Sequence, residues 1–365
     1  MGAVYRTQVY IRSPCSIVKN AIMEVIAVAA LLLAFAFAWT TGFQDAASIA
    51  ATFIASRSAT PREGILLVAG MNVLGAVLGG SAVAFTLSGL VEVAAPRQTL
   101  VVLLIALLSA TAWNLGAWQR GLPSSSTHAL VGGLMGAAIA GTGLESVNWG
   151  LAALMAPSPS LTGVVKVFVL LVASVALGIG GGFIAQRGST LLLRNARRRT
   201  TRRRLIRANW TAAVLMAFFN GANDSQKQLG IIALVLFVAG ESATLEIPLW
   251  ARGACALLLG LGTLGGGWRI MNTLGRRIFR VAPIHSFDSQ TSSGLVVAVS
   301  TLIGAPVSSS HIITGSILGV GGAENPRRMN WRAAEEVLIA MLTTIPATAL
   351  LAAALVLITL PFIGR

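Results

Sequence analysis

Seven apolar stretches leave this chain few folds to choose from: Ala21 to Trp39, Ile65 to Leu87, Thr99 to Gln119, Val164 to Ala185, Trp210 to Val238, Pro248 to Gly267 and Ala333 to Leu360. At about 1.5 Å per helical residue, roughly 20 residues cross the hydrocarbon core of a bilayer. Backbone N–H and C=O groups find no water there, so a spanning segment must satisfy them internally, and continuous apolar runs of this length do so as helices. Composition agrees. The chain is 55% hydrophobic with a mean hydropathy of +0.79, and only 11% of it is charged, whereas soluble domains carry about a quarter charged residues. The expected fold class is an all-α polytopic membrane protein. The 39 glycines fall largely inside the spans, where a missing Cβ lets helices pack closely.

The formal net charge of +15 invites a nucleic-acid reading, but its distribution argues against one. Nine arginines crowd between Arg187 and Arg207, between two spans. By the positive-inside rule, residues 187–208 form a basic cytoplasmic loop, with attraction to anionic lipid headgroups as a secondary role. The chain then divides into an N-terminal segment 1–20, a first half 21–186, the basic loop and a second half 209–365, placed as a multi-pass protein in the cell membrane. Arg6, Arg12 and Lys19 precede the first apolar run, but no small-residue cleavage site follows, so that run is expected to be a retained span. Cys15 and Cys255 are too few and too scattered for a disulfide framework or a thiolate metal site.

Two short elements repeat across the halves. PSSSTH (Pro123–His128) and PVSSSH (Pro306–His311) are each followed at the same spacing by glycines, Gly132 and Gly136 in one and Gly315 and Gly319 in the other. Each has an upstream partner in the same order, GFQD ending at Asp45 and GAND ending at Asp224. That pattern implies duplication. With the basic loop inside, Trp210–Val238 and Pro248–Gly267 run out and back, and the stretch Asp288 to Gly322, hinged at Pro306, enters from and returns to the inside. The matching stretch Thr99 to Ala140, hinged at Pro123, enters from outside. The expectation is an inverted-topology repeat with two re-entrant helical hairpins and broken helices at the midplane, the arrangement of many transporters. The same count places the N-terminus outside, against its three basic residues.

Of twelve acidic residues, Asp45 and Asp224 are the two read as lying in the membrane: Asp224 sits midway along Trp210 to Val238, and Asp45 follows the end of Ala21 to Trp39 by six residues, each closing a repeated motif. A carboxylate in the membrane is costly and marks an ion path or a pairing site. The candidate pairing group is Lys227, next to Asp224 and one helical turn from Asn223. In each tip, proline ends one helix, and the hydroxyls and free N–H groups at the start of the next make a neutral, donor-rich pocket at the positive end of a helix dipole. Ser124, Ser125, Ser126 and Thr127 on one side, with Ser308, Ser309 and Ser310 on the other, are therefore the candidate substrate-binding residues for a tetrahedral oxyanion, with Asp45 and Asp224. An oxyanion beside two carboxylates needs accompanying cations. Gln44, Asn223, Gln226 and Gln290 supply neutral oxygens suited to a hard cation such as sodium, which would sit at Asp45, Asn223, Asp224 and Gln226. His128 and His311 either carry protons or brace the turns. An intramembrane serine hydrolase using Ser126 or Ser309 with either histidine is the competing enzyme reading. It is weakened because the cluster occurs twice and no group orients the histidine. A passive anion channel is a third.

The chain resembles the inorganic phosphate transporter (PiT) family over roughly Ala38 to Leu360. The resemblance rests on GFQDAASIAATFIASRSATPR (Gly42–Arg62), WNLGAWQRGLPSSSTHALVGGLMGA (Trp113–Ala137), NGANDSQKQLGIIAL (Asn220–Leu234) and GAPVSSSHIITGSILGVG (Gly304–Gly321). It implies a symporter of phosphate with sodium or protons as coupling ion and no other cofactor, working by alternating access. It implies a central site built from Asp45, Asp224, Ser124 to Thr127 and Ser308 to Ser310, with Asn223, Asp224 and Gln226 as cation ligands, and a homodimer. Thr41, Gln44, Ser48 and Gln290 depart from the family's usual asparagine, histidine, asparagine and glutamate. Two titratable groups are thereby lost, which leans coupling toward sodium. Some relatives of this type carry sulfate, so sulfate is the alternative substrate.

Overall fold

The computed structural model describes residues 14–92, 95–196, 198–265 and 267–363, and among these the regular elements are helices. In the first half they are α1 (Pro14–Ala55), α2 (Pro61–Leu78), α3 (Ala82–Ser88), α4 (Pro96–Arg120), α5 (Ser126–Thr142), α6 (Leu151–Leu154) and α7 (Gly163–Leu193). In the second they are α8 (Arg198–Val238), α9 (Leu249–Leu264), α10 (Trp268–Asn272), α11 (Pro283–Leu302), α12 (Ser309–Glu324) and α13 (Trp331–Ile363). Five described helices are long and apolar enough to cross a membrane, namely α1, α2, α4, α7 and α13. Large apolar side chains such as Leu32, Leu66, Leu177 and Leu350 stand exposed on them, as a lipid-facing surface requires. The chain is a multi-pass membrane protein.

Local sequence signals explain the helix ends. Pro61, Pro96 and Pro283 occupy first-turn positions of α2, α4 and α11, where proline's missing N–H costs nothing. Thr60 and Glu63 close a reciprocal capping box at the start of α2. The apolar run Ile65 to Leu87 proves to be two helices: α2 ends at a cap on Gly79, and α3 restarts at Ala82 after Gly80 and Ser81. Segment 187–208, expected as a loop, is largely helical, because α7 continues to Leu193 and α8 begins at Arg198. Arginine is a good helix former whose long side chain reaches water from a helix end. Asp45 and Asp224 both lie inside unbroken helices of 42 and 41 residues. The breaks fall at the serine tips instead.

Two hydrophobic clusters are separated by a polar layer. The first holds Ala27 to Ala38 of α1, the buried faces of α4 and α5, and Leu229 to Val238 of α8. The second holds Ala46 to Ala51 of α1, Met216 and Ala217 of α8, and the buried apolar residues of α11 and α12. Helix α1 therefore passes from the first cluster to the second with Asp45 at the seam, and α8 passes from the second to the first with Asn220 to Gln228 at the same seam. The two long helices take opposite courses through the core. The helix pair α4–α5 belongs by its buried residues to the first cluster and α11–α12 to the second.

Glycine sets the closest contacts. A Cβ on Gly136 of α5 would lie 2.1 Å from the Ala349 carbonyl oxygen of α13, and one on Gly319 of α12 would lie 2.0 Å from the Ile179 oxygen of α7. The two hairpins are seated on α13 and α7 by corresponding residues of the repeated pattern.

Candidate site at the meeting of the two tips

Each tip is built the same way. Helix α4 ends on Gly121 with φ +66°, and α11 is followed by Gly304 with φ +69°, a left-handed conformation open to glycine at little cost. Two residues later, Pro123 and Pro306 prevent the helix from resuming at once. Ser125 and Ser308 then cap the next helices: Ser125 Oγ accepts the His128 N–H at 3.1 Å, and Ser308 Oγ accepts the His311 N–H at 3.3 Å. The residue before each motif aspartate secures the carbonyl before each proline. Gln44 Nε2 donates to the Leu122 oxygen (3.3 Å), and Asn223 Nδ2 donates to the Ala305 oxygen (3.1 Å).

The tips clasp each other through a reciprocal pair of bonds. Thr127 Oγ1 donates to the Val307 oxygen at 2.9 Å, and Ser310 Oγ donates to the Ser124 oxygen at 3.0 Å. Asp45 ties both tips to α1, since its carboxylate accepts the Ser126 hydroxyl on one oxygen and, on the other, the Ser310 hydroxyl, whose one proton is shared with the Ser124 oxygen. Behind the tips, the His128 and His311 rings meet edge to face with centroids 4.3 Å apart.

Asp224 is served differently. Lys227 Nζ lies 2.5 Å from Asp224 Oδ1 and 2.9 Å from the Val307 oxygen, with both side chains fully buried. Ser309, the counterpart of Ser126, has a buried hydroxyl with no partner among the described residues, and Asp224 Oδ2 has none either. The two acids are therefore not equivalent: Asp45 is held by hydroxyls from both tips and Asp224 by an ammonium.

These contacts sort the candidate residues by what they have left to offer. Ser124 Oγ is taken by Trp113 Nε1 (2.7 Å) and by Thr344 Oγ1 (3.2 Å). Gln226 spends both polar atoms, accepting from the Val83 N–H and donating to the Ala222 oxygen. Gln290 Nε2 bonds the Ile49 oxygen and Thr52 Oγ1, fixing α11 to α1 one turn beyond Asp45. The oxygens of Gln44, Asn223 and Gln290, with Asp224 Oδ2, are buried acceptors without donors among the described residues, the chemistry that suits a cation. Ser309 offers a hydroxyl, and α5 and α12 offer first-turn N–H groups, which lack intrahelical partners by geometry. Unengaged donors and acceptors thus converge on one seam.

Three features of the structure are not evident from the sequence pattern. Trp113 of α4 and Thr344 of α13 hold the first tip, the second through a contact between segments distant in sequence. Asp288, a third buried acid, accepts the Ser189 hydroxyl at 2.6 Å; its position at the head of the second hairpin was the available signal. A cavity of about 720 Å³ beside Arg57 and Arg280 opens at the far end of α1 and does not contain the tips, whose residues are all buried except the half-buried His128.

The model of the phosphate transporter family matches residues 41–352, which spans both motifs and both tips. The chain belongs to the phosphate transporter family. It is 33% identical over 333 residues to a probable low-affinity inorganic phosphate transporter of Bacillus subtilis (strain 168), a match covering 91% of this chain and 96% of that one. It is 34% identical over 331 residues to a protein of the same description from Rhizobium meliloti (strain 1021), covering 88% and 93%. Its fold is similar to that of a solved structure described as the sodium-dependent phosphate transporter, with a TM-score of 0.80 and 24% identity, over 92% of this chain and 98% of that one. As a member of this transporter family, the chain is not an enzyme, which retires the serine hydrolase reading.

Proposed function

We propose that this chain carries inorganic phosphate across the cell membrane together with a coupling cation, the anion lying at the junction of the two tips. The observation that carries the reading is the clasp itself: two capped helix starts meet at Asp45, in a chain of this family. A neutral cage of hydroxyl and N–H donors stabilises an oxyanion in a low-dielectric setting, and the donor-free oxygens of Gln44, Asn223 and Gln290 suit the accompanying cation. The opposite courses of α1 and α8 support an inverted repeat, with the basic segment 187–208 on the cytoplasmic side. The site residues are packed away from both faces, so the substrate enters and leaves as one half rocks against the other, exposing the site alternately.

The test is uptake of radiolabelled phosphate and sulfate into proteoliposomes containing the purified protein, with sodium and proton gradients imposed separately. Phosphate should accumulate above its external concentration and stop accumulating when the driving gradient is dissipated, while sulfate should not accumulate. Uptake indifferent to both gradients would make the protein a channel, and preferential sulfate uptake would overturn the substrate assignment.

The two classes of tip serine should separate experimentally. A hydrogen bond to a charged group contributes about 1.5–3 kcal/mol, so Ser309→Ala should weaken equilibrium phosphate binding by about 10- to 100-fold with little change in thermal stability. Ser125→Ala removes a helix cap at a cost of about 1 kcal/mol, and should lower the unfolding temperature. Equal phosphate affinity in wild type and Ser309→Ala would remove Ser309 from the site.

A further inference from the structure

The difference between Asp45 and Asp224 points to a division of labour. In the aligned motifs GFQDAAS and GANDSQK, Ser48 occupies the position that Lys227 occupies in the second. Ser48 Oγ is buried without a partner among the described residues, whereas Lys227 is fully buried and doubly engaged. Its two partners are a carboxylate oxygen and a main-chain carbonyl of an irregular segment, the ligand pair that a monovalent cation takes in a transporter core. The Val307 carbonyl also accepts the Thr127 hydroxyl of the other tip, so the ammonium stands at the clasp itself.

We propose that Lys227 is a tethered counter-ion: its ammonium takes the cation position of the second motif, leaving the mobile coupling cation to the first motif, at Asp45. The inference rests on the transport reading above. Asp45 accepts one hydroxyl on each oxygen, and a carboxylate offers about four lone-pair directions, so it retains capacity for a cation beside the donor-free oxygens of Gln44 and Ser48. The two acids and the lysine together carry one net negative charge, and a single bound cation neutralises them. A chain with a neutral residue at position 227 would need one more cation from solution for the same anion. The tethered ammonium cannot dissociate, so it contributes no driving force and lowers the number of cations moved per phosphate.

The proposal is tested on the purified full-length protein as wild type, Lys227→Gln, Lys227→Arg and the paired variant Asp224→Asn/Lys227→Gln. Thermal unfolding is followed while sodium, lithium or potassium replaces N-methylglucamine at constant ionic strength. Lys227→Gln should gain a saturable stabilisation by at least one small cation beyond that of wild type, and neither Lys227→Arg nor the paired variant should show the gain. In proteoliposomes, the reversal potential should report one additional charge per phosphate for Lys227→Gln relative to wild type. Should Lys227→Gln fail to fold in every cation, the unfolding of the paired variant decides: the same cation response as wild type upholds the proposal, and an added cation response overturns it. No added cation response in a folded Lys227→Gln, or the same response in the paired variant, also overturns it. A wild type that moves no phosphate would sink the transport reading while leaving the unfolding comparison to judge the cation position.

Discussion

Asp45→Asn is expected to cut gradient-driven phosphate uptake by about 100-fold or more while leaving the protein folded. The carboxylate holds one hydroxyl from each tip and is the acid that Lys227 does not neutralise. A unit charge about 4 Å away contributes about 4 kcal/mol at an effective dielectric constant of about 20, and about 1.4 kcal/mol is a factor of ten in affinity. Asparagine preserves the shape and one acceptor oxygen, so the tips should still close while the cation is lost. Uptake with separate gradients measures the first effect, and thermal unfolding in detergent checks the second. Uptake within a few-fold of wild type would remove Asp45 from the coupling machinery. Asp224→Asn should behave differently: it leaves a buried ammonium without its partner, a class of change that costs about 3–5 kcal/mol, so its main effect should be on stability.

The second large effect is steric. Gly136→Val and Gly319→Val should each sharply lower the yield of folded, monodisperse protein, because the added side chain begins about 2 Å from main-chain oxygens that cannot move aside. Overpacking a tight contact typically costs about 1–3 kcal/mol and occasionally more, and two methyl groups placed against backbone fall at the upper end or beyond. Gly180 in α7 is the control, since a Cβ there meets nothing within 4 Å. Gly180→Ala should be neutral or stabilising by about 0.5–1 kcal/mol, as alanine is the better helix former. Thermal unfolding and size-exclusion profiles of the three variants would show the contrast, and equal behaviour would mean that the hairpins are not seated through these glycines.

The sequence pattern was informative where it depends on local chemistry. Apolar runs located α4, α13 and the start of α7 within a few residues, and Gly121-Leu122-Pro123 and Gly304-Ala305-Pro306 with their following serines located both tips, because helix termination and capping are decided by adjacent residues. It was less informative where a boundary depends on competition between weak signals. Gly79 and Gly80 divide one apolar run into α2 and α3, and helical arginines turn an expected loop into the ends of α7 and α8. Contacts between distant segments were legible only as residue types. Asp45 stood out as a buried acid, but the serines that reach it, from positions 126 and 310, are fixed by how four helices cross. Lys227 was identifiable as a neighbour of Asp224, yet its bond to the Val307 oxygen depends on where the second tip lands. Gln226 resembles a cation ligand by type and spends its oxygen on the Val83 N–H, an outcome set by the position of α3.

The most direct test of the account is an experimental density map of the protein with saturating phosphate and coupling cation. The account predicts tetrahedral density at the seam, within hydrogen-bonding reach of Ser309 and of the first-turn N–H groups of α5 and α12, with the Lys227 ammonium still on Asp224. Phosphate density confined to the cavity beside Arg57 and Arg280, with the seam closed and unchanged, would contradict it.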